Sequence, residues 1–219
     1  MSNTRPDGYL ATPSSGSGYP VLVLHAWWGL NDTIKGICDR LAAAGFLVFA
    51  PDLYHGKIAD TIPEAESLGS ALDENYLQAK NEIADGVKFL CAKTSTTGCD
   101  VAVVSFSLGV YYALDLAAAD PEHIESVVLF YGSGPANHST SRARYLGHFA
   151  ENDPYEPKEN VEELEESLKK AGRPVEFHIY ENTGHWFFEP DRKDAYVESA
   201  ARLAWKRTLE FLKTTSSRI

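Results

Sequence analysis

Residues 100–109, Asp-Val-Ala-Val-Val-Ser-Phe-Ser-Leu-Gly, decide the fold. The first part is the apolar run of a strand covered on both faces. From Ser107 onward, small and apolar side chains recur at helical spacing through Ala119 until Pro121 breaks the run. A strand that runs straight into a helix through Ser105-Phe106-Ser107-Leu108-Gly109 is the setting of a nucleophile elbow, G-x-S-x-G with serine in the first glycine slot. So sharp a turn needs small residues two before and two after the central serine, which Ser105 and Gly109 supply. The hydroxyl would stand at a helix N-terminus, where free N–H groups and the dipole favour a developing oxyanion, with the Leu108 N–H as one donor. The plainer reading is that Ser107 only caps the helix.

Outward from this stretch, strands and helices alternate. Upstream, a Ser/Gly-rich turn over 14–18 precedes the apolar run PVLVLHA from Pro20. Asn31 and Asp32 then cap a helix carrying Ile34, Ile37, Cys38 and Leu41 on one face, closed by Gly45. FLVFAPD from Phe46 is the next strand. A loop with Gly56 and Pro63 leads to a long helical region with Ile83, Val87, Leu90 and Cys91 on one face, ending before Gly98. Downstream, SVVLFYG from Ser126 and YLGHFA from Tyr145 read as strands. A helix follows over 159–171, with Val161, Leu164 and Leu168 inward and Gly172 as its stop. VEFHIY from Val175 is the last strand, and a final helix from about Asp191 carries Val197, Ala201, Ala204, Trp205 and Leu212 on one stripe.

This alternation predicts an α/β protein with a mostly parallel central sheet, right-handed crossovers and helices on both faces. Ligands of such sheets sit at the carboxyl ends of the strands, so the residues after each strand are the ones to inspect. After YLGHFA comes Glu151-Asn152-Asp153-Pro154, and after VEFHIY comes Asn182-Thr183-Gly184-His185-Trp186. The order serine, acid, histidine is that of the α/β-hydrolase fold. His185 can take the Ser107 proton through one ring nitrogen while Asp153 fixes the other. Glu151 and Glu156 are rival acids. His178 lies inside a strand, committed to one face of the sheet, and His25 reads as a hydrogen-bonded core residue. The second oxyanion donor falls on the Trp27 N–H, in the loop after the first buried strand.

At 219 residues the chain fits one domain over 1–219. The balance of 20 basic against 31 acidic side chains gives a formal charge of −11, which repels nucleic acid and anionic membrane surfaces. The N-terminal residues lack the apolar segment of a secretory signal and no stretch reaches about 18 apolar residues, so the expectation is a cytoplasmic protein with no membrane span. Three cysteines make no even framework, and buried reduced thiols are the favoured reading. Monomer and homodimer both remain open.

The chain resembles the dienelactone hydrolase family. The similar segments are VLVLHAWWGLND from Val21, APDLYHG from Ala50, the elbow SFSLG, HFAENDPYEP from His148 and YENTGHWFF from Tyr180. The resemblance implies hydrolysis of a small-molecule carboxylic ester or lactone through an acyl-enzyme, with no metal or organic cofactor. It also shows departures. Prototype members use cysteine where Ser107 stands, and carry a glutamate where Ala26 stands. They hold the substrate carboxylate with arginines, whereas residues 41–141 here contain none, leaving Arg142, Arg144 and Arg192 as substitutes. Aromatic residues near the expected cleft point to an apolar pocket for short esters or aromatic lactones, lined by Trp28, Tyr54, Trp186 and Phe187. The tryptophans have a plain alternative as caps on the core. Acyl transfer or perhydrolysis on the same triad, and a non-catalytic binding module on the same scaffold, are the competing functions.

Overall fold

A computed structural model describes residues 6–94 and 98–216. Its strands are β1 (Gly8–Ala11), β2 (Tyr19–Leu24), β3 (Phe46–Pro51), β4 (Val101–Phe106), β5 (Ile124–Phe130), β6 (Arg144–Ala150) and β7 (Val175–Tyr180). The helices are α1 (Asp32–Ala43), α2 (Ile62–Glu74), α3 (Tyr76–Lys93), α4 (Leu108–Ala119), α5 (Lys158–Lys170) and α6 (Glu198–Ser216). The strands join in the order β1-β3-β2-β4-β5-β6-β7, all parallel except β1, which runs antiparallel along β3. This is the α/β-hydrolase fold.

Strand alternation sorts the core into two halves. Val21 and Val23 point to the side covered by α1 and α6, where Ile34, Leu41, Ala204 and Leu212 are buried. Leu22 and Leu24 point to the side of α3, α4 and α5, against Ile83, Leu90, Leu114 and Leu168. Because both faces are covered, the inner strands are apolar throughout, and every residue of β3 and β4 is buried.

Local signals explain most of the element ends. The Asn31 side chain accepts from the Ile34 N–H at 3.0 Å and caps α1. Gly45 then turns the chain at φ +100°.

Four expectations are corrected. The first strand, β1, has no place in the alternating pattern, since a short half-buried edge strand carries little apolar signal. The loop expected around Pro63 is the helix α2: Thr61 and Glu64 form a capping box and the proline occupies the first turn, where no N–H is needed. The final helix starts at Glu198, because the residues before it form turns tied back by the Val197 N–H to the Phe187 carbonyl. Lastly, Cys91 and Cys99 are joined in a disulfide, their Cα atoms 5.4 Å apart between the last turn of α3 and the start of β4. Only Cys38 is a free buried thiol, its pKa pushed up to about 12 by burial. No helix among the described residues is long and apolar enough to cross a membrane.

Candidate active site

Ser107 leaves β4 and enters α4 with φ +47° and ψ −114°, a conformation that costs a non-glycine residue energy and that the surrounding contacts must hold. The Ser107 N–H donates to the Phe130 carbonyl at 2.9 Å, and the Val110 N–H donates back to the Ser107 carbonyl at 2.8 Å. Ser105 is fully buried and its hydroxyl donates to the Val128 carbonyl on the neighbouring strand, so a serine serves where a glycine is usual. Gly109 has no such latitude. A Cβ there would lie 2.7 Å from the Leu24 carbonyl oxygen and 2.8 Å from that of His25. This close approach sets the loop after β2 against the first turn of α4.

The Ser107 hydroxyl makes no capping bond to its own helix. Its Oγ lies 2.9 Å from Nε2 of His185, in the loop after β7, and Nδ1 of His185 lies 2.9 and 2.8 Å from the two Asp153 oxygens, in the loop after β6. Both the His185 and the Asp153 side chains are almost fully buried. Asp153 Oδ1 also accepts the Tyr155 and Glu156 N–H groups at 2.9 and 3.0 Å, which fixes the carboxylate in the turn before Pro157. A hydroxyl on an imidazole whose far nitrogen meets a carboxylate can lose its proton as it attacks a carbonyl carbon.

The rival groups are engaged elsewhere. Glu151 accepts from the Asn182 N–H, and Glu156 accepts from the Ser133 hydroxyl at 2.8 Å. The fully buried His25 donates from Nδ1 to the Ala26 carbonyl, and burial lowers its pKa. His178 sits in β7 against His148 and Glu176, away from the serine.

A cavity of about 720 Å³ opens over the serine, lined by Ser107, His185, Leu108 and Trp27 among others. Trp27 and Leu108, the residues expected to give oxyanion donors, line the same cavity as the hydroxyl. Leu108 is the first residue of α4, so its N–H has no acceptor one turn earlier in the helix.

Of the four residues expected as pocket lining, only Trp186 faces this cavity. Trp28 is buried under the Arg192 guanidinium, 3.8 Å above its ring. Tyr54 packs on His25 and lines a separate cavity of about 250 Å³. Phe187 is wholly buried between Tyr131 and Tyr180. Neighbours in sequence separate in space here because Trp186 takes φ +64° and turns its ring to the cavity while Phe187 turns to the core. None of the substitute arginines lines the cavity: Arg142 pairs with Glu122, Arg144 lies on Phe211, and Arg192 covers Trp28. The cavity walls are instead Tyr76, Tyr111 and Tyr155 with the carboxylates Asp73 and Glu156.

Tyr131, directly after β5, escaped the sequence reading although it obeys the rule used for the other strand ends. Its ring centroid lies 4.9 Å from that of His185, and its hydroxyl donates to Oε1 of the fully buried Glu189 at 2.6 Å. Burial raises the Glu189 pKa to about 8. Of the five non-glycine residues with positive φ among those described, three line the cavity: Ser107, Tyr131 and Trp186. Backbone strain clusters at functional sites, so its gathering here makes the cavity the candidate site. Among the described residues no three His, Cys, Asp or Glu side chains are grouped to hold a metal ion.

Residues 7–216 match the dienelactone hydrolase family. A relative from Aquifex pyrophilus, "Protein usf", is 34% identical over 94% of this chain and 92% of its own length. One from Aquifex aeolicus, named "Putative carboxymethylenebutenolidase", is 32% identical over 94% of this chain and 92% of its own. Among solved structures, a dienelactone hydrolase-like promiscuous phosphotriesterase from metagenomic libraries superposes with a TM-score of 0.82 at 21% identity, covering 94% of this chain and 91% of that one.

Proposed function

The chain belongs to the dienelactone hydrolase family, and from that premise we propose that it hydrolyses carboxylic esters or lactones through an acyl-enzyme on Ser107. The observation that carries the reading is the continuous relay Ser107–His185–Asp153, with contacts of 2.8–2.9 Å from residues 78 and 32 positions apart in sequence. The carboxymethylenebutenolidase name carried by the Aquifex aeolicus relative agrees with it.

His185 Nε2 takes the hydroxyl proton as Oγ attacks the carbonyl carbon, and Asp153 stabilises the imidazolium that forms. The negative charge on the carbonyl oxygen meets the Leu108 and Trp27 N–H groups. When the tetrahedral adduct collapses, His185 returns the proton to the leaving alkoxide. In a lactone the alkoxide stays tethered to the acyl group. Water then repeats the cycle on the acyl-enzyme with His185 as base. A serine hydroxyl needs this base more than a thiol does, because a thiol is already partly ionised at neutral pH.

Ser107→Ala tests the assignment. Hydrolysis of p-nitrophenyl acetate should fall to near background with the circular dichroism spectrum unchanged, and a fluorophosphonate should add mass to the Ser107 peptide of the parent protein only. Turnover by the alanine variant at the parent rate would refute the nucleophile.

A further inference from the structure

The proposed chemistry uses neither of the carboxylates lining the cavity. Asp73 reaches it from the end of α2, and Glu156 from the turn after β6, where its Oε1 holds the Ser133 hydroxyl. Two aromatic groups line the same cavity. Tyr155 lies 6.0 Å from Trp27 and 5.0 Å from Trp186, ring centre to ring centre, on the His185 side, and Tyr76 lies 5.8 Å from Tyr111 on the Asp73 side. Ring faces carry partial negative charge and attract cations.

No lysine or arginine is among the described residues that line the cavity. The ammonium of Lys80, against the Tyr76 ring, is bound by Asp115 at 2.8 Å. Carboxylates and ring faces therefore meet in one cavity beside the nucleophile, and the Lys80 ammonium, held by Asp115, reaches only the Tyr76 ring. The chain's formal charge of −11 adds a field of the same sign.

We propose that this site takes esters or lactones bearing a quaternary or protonated ammonium group, with the ammonium seated among the aromatic rings between Asp73 and Glu156. The proposal rests on the reading of Ser107 as nucleophile and names the substrate class of that site. A carboxylate-bearing substrate would meet two like charges there and no arginine. Burial raises the Glu156 pKa, and a bound cation favours its ionised form.

Three p-nitrophenyl esters of matched acyl shape provide the test: γ-trimethylammonio-butyrate, its neutral tert-butyl isostere, and hemiglutarate. The kcat/KM for the cation should exceed that for the neutral ester by about tenfold, as expected for a cation over partly buried rings with carboxylates near, and hemiglutarate should be slowest. Asp73→Asn and Glu156→Gln should each draw the cation-to-neutral ratio toward one. A neutral ester turned over as fast as the cation, or hemiglutarate turned over fastest, overturns the substrate class and leaves Ser107 standing. If no ester is turned over, the nucleophile reading fails. The substrate class is then read from quenching of tryptophan fluorescence, since Trp27 and Trp186 line the cavity. Saturable quenching by phenyltrimethylammonium and none by benzenesulfonate supports it, and the reverse overturns it.

Discussion

Replacing Glu189 by glutamine should make the protein more stable at neutral pH. The carboxyl is fully buried and its pKa is raised to about 8 from an ordinary 4.5, chiefly by the loss of water around it. Between those values the folded protein keeps a proton that the unfolded chain has released. Stability is then full below pH 4.5 and is lost as pH rises toward 8. Each pH unit in that window costs about 1.4 kcal/mol, so about 3 kcal/mol is gone by pH 7 and about 5 by pH 8. Glutamine keeps a carbonyl oxygen for the Tyr131 hydroxyl and cannot ionise. Its amide N–H₂ inherits the place of Oε2, which has no hydrogen-bond partner and where the protonated acid already sets an unpaired O–H. Urea unfolding of parent and variant from pH 5 to pH 8 measures the effect. The two should have similar midpoints at pH 5 and diverge steadily above it. Buried His25 and His148 have lowered pKa values and lose stability as pH falls through 6.5, but they act equally in both proteins. Parallel curves across the whole range would show that Glu189 does not hold its proton in the fold and would refute the reasoning.

Asp153→Asn should lower kcat by about 10³–10⁴-fold with little change in KM, because an amide cannot stabilise the imidazolium, and steady-state kinetics within tenfold of the parent would contradict the assigned role. Gly109→Ala drives a methyl group into two backbone carbonyls that cannot rotate away. It should cost about 1–3 kcal/mol, a melting temperature lower by about 3–10 °C, and an unchanged Tm by calorimetry would mean the elbow can relax. Alkylation in guanidinium without reductant should modify Cys38 alone, and Cys91→Ser with Cys99→Ser should cost about 2–3 kcal/mol by the loop-closure relation; three alkylated cysteines would exclude the bridge.

The sequence was most legible where backbone geometry restricts residue type. Ser105, Ser107 and Gly109 announce a strand turning directly into a helix, and the structure places Ser107 at that junction with φ +47°. The loops bearing Asp153 and His185 were legible for a related reason, since strand ends in a parallel sheet share one edge. Legibility failed where side chains meet across elements. Nothing local to Asp73 or Tyr76 shows that the α2–α3 junction lies over the serine, and nothing local to Phe187 shows that it turns away from the cavity that Trp186 faces. Pro63 misled because a proline breaks a helix in its interior but suits its first turn. Cys91 and Cys99 misled because parity was counted over three cysteines, while the bridge needs only two that the fold brings to 5.4 Å.

The order of the strands along the chain has a consequence for biosynthesis. When a ribosome has delivered the chain through β5, β2, β4 and β5 can already pair and the Phe130 carbonyl can hold Ser107 in its elbow, yet the hydroxyl has no base. The imidazole arrives 78 residues later, behind β7, the last strand and one of the two outer strands of the sheet. Early-made segments fold first, and long-range pairings close last. Incomplete or truncated chains would therefore carry an inert serine, and hydrolytic activity would switch on only when the sheet's final edge is laid down. Appearance of turnover in a translation reaction becomes a clock for that last step.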